Sequence, residues 1–294
     1  MLRSVMDLEN FVIGATDGPI GHVRDFHFDD RAWVVRYFVV ETGTWLSSRK
    51  VLISPFAIGR PDWMEKVLPA AISKEQVEKS PDIDTDKTVS RQQEMRYHGY
   101  YGYPYYWGGP GLWGEDDYPN MSMEAVLGDV APPVPAPAAT ELQAGGDAAR
   151  LQEDDPHLRS CKAVIGYHVQ AVDGDVGHVQ GMLVDVETWA VRFIVVDTSN
   201  WWLGHSVLIA PQWIREMRWS DATVIVNLTQ QVVKDAPPYD SAETLNRERE
   251  DEIHDYYGRA GNLASEPALG SPRATSLAGV NLAAAPSPRD RTMR

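Results

Sequence analysis

The chain has 294 residues, of which 43% are hydrophobic and 23% charged, a composition typical of a globular protein with room for two ordinary domains. Its formal net charge of −15 argues against non-specific attraction to nucleic acid or to an anionic membrane surface. The single cysteine excludes an intrachain disulfide, no apolar run is long enough to cross a membrane, and we see no signal peptide, so we expect a cytoplasmic protein.

The chain contains an internal repeat. A stretch that begins at Asp17 aligns without gaps with one that begins at Asp173, and the same offset of 156 residues still holds at Tyr100–Gly102 and Tyr256–Gly258. The identical pairs include Gly21/Gly177, His22/His178, Trp33/Trp189, Arg36/Arg192, Glu94/Glu250 and His98/His254. Before Asp17 we align VIG at 12–14 with VIG at 164–166, which predicts four extra residues in the second copy. The repeat predicts two modules of one fold, each enclosing its own apolar interior.

The elements predicted within a copy are β-strands. Residues 20–28 alternate after a turn at Gly18, and residues 33–42 form a β-branched and aromatic run typical of a central strand. Short strands follow at 51–54 and 67–73, with turn residues between them. This spacing predicts a small barrel or sandwich. The stretch 90–102, SRQQEMRYHGYYG, then predicts a short helix that ends at the aromatics and glycine.

The remaining segments lack a periodic pattern. Residues 103–157 begin with aromatics and continue as a Pro/Ala-rich acidic stretch, and the tail is rich in Ala, Ser, Pro and Gly. We therefore predict a first module over 1–102, a linker over 103–157, a second module over 158–258 and a disordered tail over 259–294. A long linker permits the modules either to pair with each other or to hold separate partners.

Several motifs of the repeat carry a family resemblance. They are IGATDGPIGHVRDFHFDD, VVRYFVVETGTWLSSRKVLISP and VEKSPDIDTDKTVSRQQEMRYHGYYGYPYYW in the first copy, and IGYHVQAVDGDVGHVQGMLVD with RFIVVDTSNWWLGHSVLIAP in the second. They resemble the PRC-barrel family, in particular its stand-alone bacterial branch. The family includes the cytoplasmic domain of the photosynthetic reaction-centre H subunit and the C-terminal domain of a ribosome maturation factor.

The resemblance implies a mainly β fold of two small PRC-type β-barrels, each followed by a short helical or aromatic segment and joined by a disordered linker. It also implies an adaptor or regulatory role without catalysis. The membrane helix of the H subunit and the N-terminal domain of the ribosome factor have no counterpart in this sequence.

Histidines and acids offer no clear catalytic or metal site. The sequence shows no Ser/His/Asp grouping, phosphate loop or Cys/His cluster, so we expect no enzyme, no cofactor and no metal. The cluster of His22, Asp25 and His27 is interpreted as solvated strand residues, because the second copy replaces two of the three. The repeated His98 and His254 are either inert residues at a helix end or titrating groups that tune a neighbouring carboxylate.

The strongest binding candidate is the aromatic stretch His98–Trp113, HGYYGYPYYWGGPGLW. In one interpretation its rings cap an open end of the barrel. In the other they dock a protein partner, because Tyr and Trp bury a large area at low entropy cost. The candidate partner-binding residues are Tyr100, Tyr101, Tyr103, Tyr105, Tyr106, Trp107 and, in the second copy, Trp202.

The resulting functional hypothesis is a non-catalytic tandem scaffolding protein that mediates protein–protein interaction, with a protein partner or by self-association between modules. We expect no nucleic-acid partner and no transmembrane segment, and peripheral membrane association stays open. The alternatives are an accessory subunit of a photosynthetic or membrane electron-transfer complex, a ribosome or RNA-processing accessory factor, and a ligand binder or enzyme with a true pocket.

Overall fold

The structure is a computed structural model that describes residues 1–85, 89–120, 157–198, 205–241 and 245–264, with side chains up to residue 259 in the last range. The described part is mainly β, as the sequence predicts. Its strands are β1 Leu2–Ser4, β2 Val12–Ala15, β3 Gly18–Asp29, β4 Val34–Thr42, β5 Lys50–Ile53, β6 Val67–Pro69, β7 Leu158–Ser160, β8 His168–Ala171, β9 Gly174–Asp185, β10 Val191–Asp197, β11 Ser206–Ile209, β12 Ile214–Arg218 and β13 Thr223–Val226. Its helices are α1 Lys74–Glu78, α2 Arg91–Tyr101, α3 Cys161–Val164, α4 Gln230–Lys234 and α5 Arg247–Ala264.

The strands form two sheets, one for each copy of the repeat. The first has the order β5-β4-β3-β2-β6 and the second the order β11-β10-β9-β8-β13-β12. In both sheets the short second strand of the copy pairs in parallel with a later strand, β2 with β6 and β8 with β13. Neither sheet closes into a barrel within the described residues, so the expected closed barrels are not seen.

The open edge of the first sheet is covered by α2 instead of by another strand. The hydroxyl of Tyr97 donates to the carbonyl of Leu52 on β5 at 3.0 Å and accepts from the backbone N–H of Ser54 at 3.1 Å. The Tyr97 side chain thus hydrogen-bonds backbone groups at the edge of the sheet. In a closed barrel a further strand would pair with such groups.

The N-terminal strand of each copy belongs to the sheet of the other copy. Strand β1 pairs with the end of β9, where Leu2 lies opposite Asp185. Strand β7 pairs with the end of β3, where Leu158 lies opposite Asp29. The buried apolar side chains form one continuous cluster across both halves. The prediction that each module encloses a separate interior is therefore wrong, because each half contributes a strand to its neighbour.

The halves meet about a pseudo-twofold axis. The backbone N–H of Val35 donates to the carbonyl of Trp189 at 2.8 Å, and the matched N–H of Val191 donates to the carbonyl of Trp33 at 2.7 Å. An isolated bridge joins Val34 to Ala190, which are themselves matched positions of the repeat. The axis consequently passes between these two residues.

The pairing of β2 and β8 corrects the alignment before Asp17. Val12 lies opposite His22, and His168 lies opposite His178, so both strands keep the offset of 156 residues that relates the rest of the copies. The VIG of the second copy falls at the end of α3 and in the following turn. The second copy has no four-residue insertion, since β7 and β8 both stand 156 residues after β1 and β2.

Other local predictions are confirmed by the strands and helices. Residues 34–40 of β4 are all buried, as expected of a central strand. Helix α2 begins after a capping box at Ser90 and ends at Gly102, whose φ of 70° suits glycine. A Cβ on Gly21 or Gly177 would lie within about 2 Å of a carbonyl oxygen on the neighbouring strand, which explains why glycine recurs there. Helix α1 was not predicted.

Candidate functional site

The aromatic segment that follows α2 folds back over the first sheet. Tyr103 and Tyr106 are buried, as is Trp113 further along the segment. Tyr105 is 43% exposed. Three further candidate residues are partly exposed, namely Tyr100, Tyr101 and Trp107. Trp202 lies outside the described residues. Partner binding by these residues stays a prediction. Only the exposed and partly exposed rings can contact a partner while the segment stays folded.

Arg36 of β4 holds this segment in place. Its Nη1 donates to the carbonyl of Leu112 at 2.5 Å, and its guanidinium carbon lies 3.9 Å from the ring centroid of Tyr106 and 4.8 Å from that of Trp113. The arginine is buried, and its charge is partly balanced by Asp29 at 3.6 Å. Cation–π contacts of a desolvated arginine are the stronger ones, so the covering segment is firmly anchored.

A carboxylate lies fully buried beneath the segment. Glu94 of α2 forms an ion pair with Arg91, with 2.8 Å between Nη1 and Oε2, and accepts a hydrogen bond from the hydroxyl of Tyr106. Its Oε1 also lies 3.2 Å from the hydroxyl of Tyr37 on β4. His157, which directly precedes β7, contacts Arg91 through its Nε2. The site therefore combines α2, the central strand, the aromatic segment and the second half.

His98 completes a directed hydrogen-bond chain. Its Nδ1 lies 2.8 Å from the carbonyl oxygen of Pro104, which can only accept, so Nδ1 carries a proton. In the neutral ring Nε2 must then accept, and the hydroxyl of Tyr37 donates to it over 3.0 Å. Because a tyrosine has one proton, the Tyr37 hydroxyl cannot donate to His98 and to Oε1 of Glu94 at the same time.

Burial shifts the pKa of both Glu94 and His98. Burial raises the pKa of Glu94 to about 7, against the opposing effects of Arg91 and of the Tyr106 and Tyr37 hydroxyls. Burial also lowers the pKa of His98 to about 4, although the bond to the Pro104 carbonyl works in the other direction. Burial thus favours the protonated form of the Glu94 carboxyl and the neutral form of the His98 imidazole.

The matched site in the second half is open to solvent on one side, as far as the structure describes it. Arg192 donates to Glu250 with 2.5 Å between Nη2 and Oε1, yet the arginine side chain is 46% exposed. Phe193 replaces Tyr37, so no hydroxyl links Glu250 to His254. Helix α5 continues past its glycine at 258 to Ala264, whereas α2 ends at Gly102 just before Pro104. Arg192 is the counterpart of Arg36 and not of Arg91, so the ion pair of the second copy differs from the Arg91–Glu94 pair of the first. Within the described residues, the helix of the second copy continues where the aromatic segment begins in the first.

Sequence reasoning found His98 and missed the groups around it. Tyr37, Arg91 and His157 were not singled out. The identities Arg36/Arg192 and Glu94/Glu250 were a usable signal, because a charged residue repeated on a buried strand or helix face needs a partner. No group of three or more metal-ligating side chains occurs in the part of the chain that the structure describes.

Comparisons with known proteins give no family assignment. No family model matches the chain, and no curated protein matches it. Within the described ranges, the helices are all too short or too polar to cross a membrane.

Proposed function

We propose that the chain is a non-catalytic scaffolding protein of the cytoplasm, built from two PRC-type units, that binds a protein partner through its aromatic segment. The observation that carries the proposal is a stack of two aromatic rings, Tyr105 and Trp107, held on a buried base. Their ring centroids are 4.5 Å apart with an angle of 22° between the planes. The motifs that resemble the PRC-barrel family support the adaptor role.

The base beneath this stack is rigid. The guanidinium carbon of Arg91 lies 4.1 Å from the ring centroid of Trp107, and Arg91 is itself held by Glu94. The neighbouring Tyr106 is buried against Arg36. Exposed aromatic rings fixed by a buried support lose little entropy on binding, and this is the arrangement of interface hot spots.

The two halves present different surfaces to a partner. The first half carries the aromatic stack, and the second half presents the open Arg192–Glu250 pair at the equivalent place. Since the halves share strands, their surfaces are held at a fixed distance. A rigid body with two unlike faces suits a scaffold better than two freely moving copies.

The test begins with crosslinking of the intact protein in its native cell, identification of the crosslinked partner and reconstitution with that purified partner. We expect Y105A and W107A each to weaken binding by tenfold or more, since truncation of a hot-spot aromatic costs about 2 kcal/mol or more. M64A is the matched control, because Met64 is 92% exposed on another loop. A partner that binds all three variants like the wild type contradicts the proposal.

A further inference from the structure

Two histidines of the second half lie side by side on neighbouring strands. His168 on β8 and His178 on β9 are direct cross-strand partners in the antiparallel ladder. Their ring centroids are 4.6 Å apart, with an angle of 48° between the planes. His168 is exposed and His178 partly exposed, so both rings are open to solvent and to ions.

The register extends this pair into a polar row across the sheet. Asp197 on β10 is the direct partner of His178 on its other side, and Thr223 on β13 is the direct partner of His168. Directly opposed residues of a ladder project from the same face, so these side chains belong to one surface. The carboxylate of Asp197 adds negative charge next to the imidazoles.

We propose that His168 and His178 form a surface site for one divalent transition-metal ion that favours imidazole, such as Zn²⁺ or Cu²⁺. Imidazole nitrogens are the ligands that these borderline ions prefer, and two of them on a rigid ladder need little reorganisation to bind one ion. Water fills the remaining positions of the coordination sphere. This site is independent of the proposed partner-binding segment, which lies in the first half.

The first half provides a natural control. His22 is the counterpart of His178, but its cross-strand partner is Val12, the counterpart of His168. Val12 is partly exposed and the strand geometry is conserved between the copies. One substitution, V12H, therefore reproduces the paired arrangement at the matched place, and H22N removes an unpaired histidine.

The experiment titrates the full-length, metal-free protein with Zn²⁺ and with Cu²⁺ alone, using calorimetry near neutral pH. We expect one equivalent to bind to the wild type and to H22N, and two equivalents to bind to V12H. H168N and H178N should each lose about tenfold or more in affinity for that equivalent. Bound metal should also raise the unfolding temperature of the wild type more than that of H168N, because the ion bridges two strands only when both ligands are present.

The substituted side chains are exposed or partly exposed, so we expect all variants to fold, and circular dichroism of each variant verifies this. Binding that survives unchanged in both H168N and H178N overturns the proposal. V12H that binds no more metal than the wild type also overturns it, since the argument rests on cross-strand geometry. A uniform loss of affinity in H22N, H168N and H178N would point to diffuse binding by scattered histidines and would equally refute it.

Discussion

Glu94 and Glu250 occupy matched positions in the two halves, and their surroundings differ. Glu94 is fully buried under the aromatic segment, with Tyr37 and Tyr106 against its carboxyl. Glu250 instead pairs with Arg192, the counterpart of Arg36, and this ion pair is open to water on the arginine side. The matched carboxyls differ because Glu94 lies under the aromatic segment and pairs with Arg91 of its own helix, whereas Glu250 pairs with an arginine of the central strand.

At the interface between the halves, matched residues also share their backbone conformation and differ in the surroundings of their side chains. Trp33 and Trp189 both have positive φ, 54° and 58°, and both accept the reciprocal backbone bonds across the axis. Trp189 is buried, with its ring centroid 4.8 Å from that of Phe38, whereas Trp33 is partly exposed. Matched backbone positions therefore do not imply equal energetic roles.

The largest expected effect comes from truncating the buried tryptophan. W189A should lower the free energy of unfolding by about 3–5 kcal/mol, because it leaves a cavity against Phe38 at the centre of the shared core. W33A should cost clearly less, since part of that ring already contacts water. Chemical denaturation of both variants measures the difference in the free energy of unfolding. Equal losses in the two variants would contradict the proposed asymmetry between the halves.

A second prediction concerns the buried carboxyl. The raised pKa of Glu94 means that the native state holds a proton that the unfolded state releases at lower pH, so this group reduces stability as pH rises from about 4.5 to about 7. The shift corresponds to at most about 3 kcal/mol. E94Q removes this loss and should be more stable than the wild type at pH 8. E250Q, whose ion pair is partly solvated, should show no comparable gain.

His98 acts with the opposite sign. Its lowered pKa means that the unfolded state binds the extra proton first, so its contribution to stability is lost as pH falls from about 6.5 to about 4. In the wild type the two effects largely cancel over the shared range. E94Q should therefore show stability that rises with pH between 4 and 6.5, and H98N stability that falls. The measurement is the denaturant midpoint of each variant across pH 4–8. If the midpoints of E94Q and H98N change with pH in the same direction, the opposite effects of the two groups are disproved.

The smallest effects are expected at the exchanged strands. Arg3 stacks on Trp63 with 4.6 Å to the ring centroid, and the matched Arg159 stacks on Trp219 with 4.3 Å. Arg159 also pairs with Asp30 at 3.1 Å. R159A should cost about 1 kcal/mol and R3A less, because cation–π and partly exposed ion-pair terms are individually small. Unfolding curves in which R3A lowers the free energy of unfolding more than R159A does would contradict this ranking.

The sequence is a good guide wherever the signal is local. Hydrophobic runs predict β4, and the turn at Gly18 marks the start of β3. The polar stretch before Gly102 predicts α2, and the common offset predicts two copies of one fold, whose sheets share the order of five strands. Each of these depends on neighbours within about ten residues or on direct identity between copies.

Local sequence patterns do not predict that β1 and β7 each join the sheet of the other copy. Leu2–Ser4 and Leu158–Ser160 share the letters LRS at the common offset, but three residues do not reveal which sheet they join. The Glu94 site depends on Tyr37, Glu94 and His157, which are far apart in the chain and meet only when the second half is in place. The paired histidines were missed for a related reason, because the alignment before Asp17 placed His168 out of register.

The most direct test of the account asks whether the halves stay together without a covalent link. A protease site is placed between residues 121 and 156, the folded protein is cut, and the products are run on native size-exclusion chromatography with light scattering. Reciprocal strand pairing and the continuous core predict that the two fragments co-elute at the mass of the intact chain and part only on unfolding. Two fragments that elute separately and remain folded would contradict the exchanged, shared architecture.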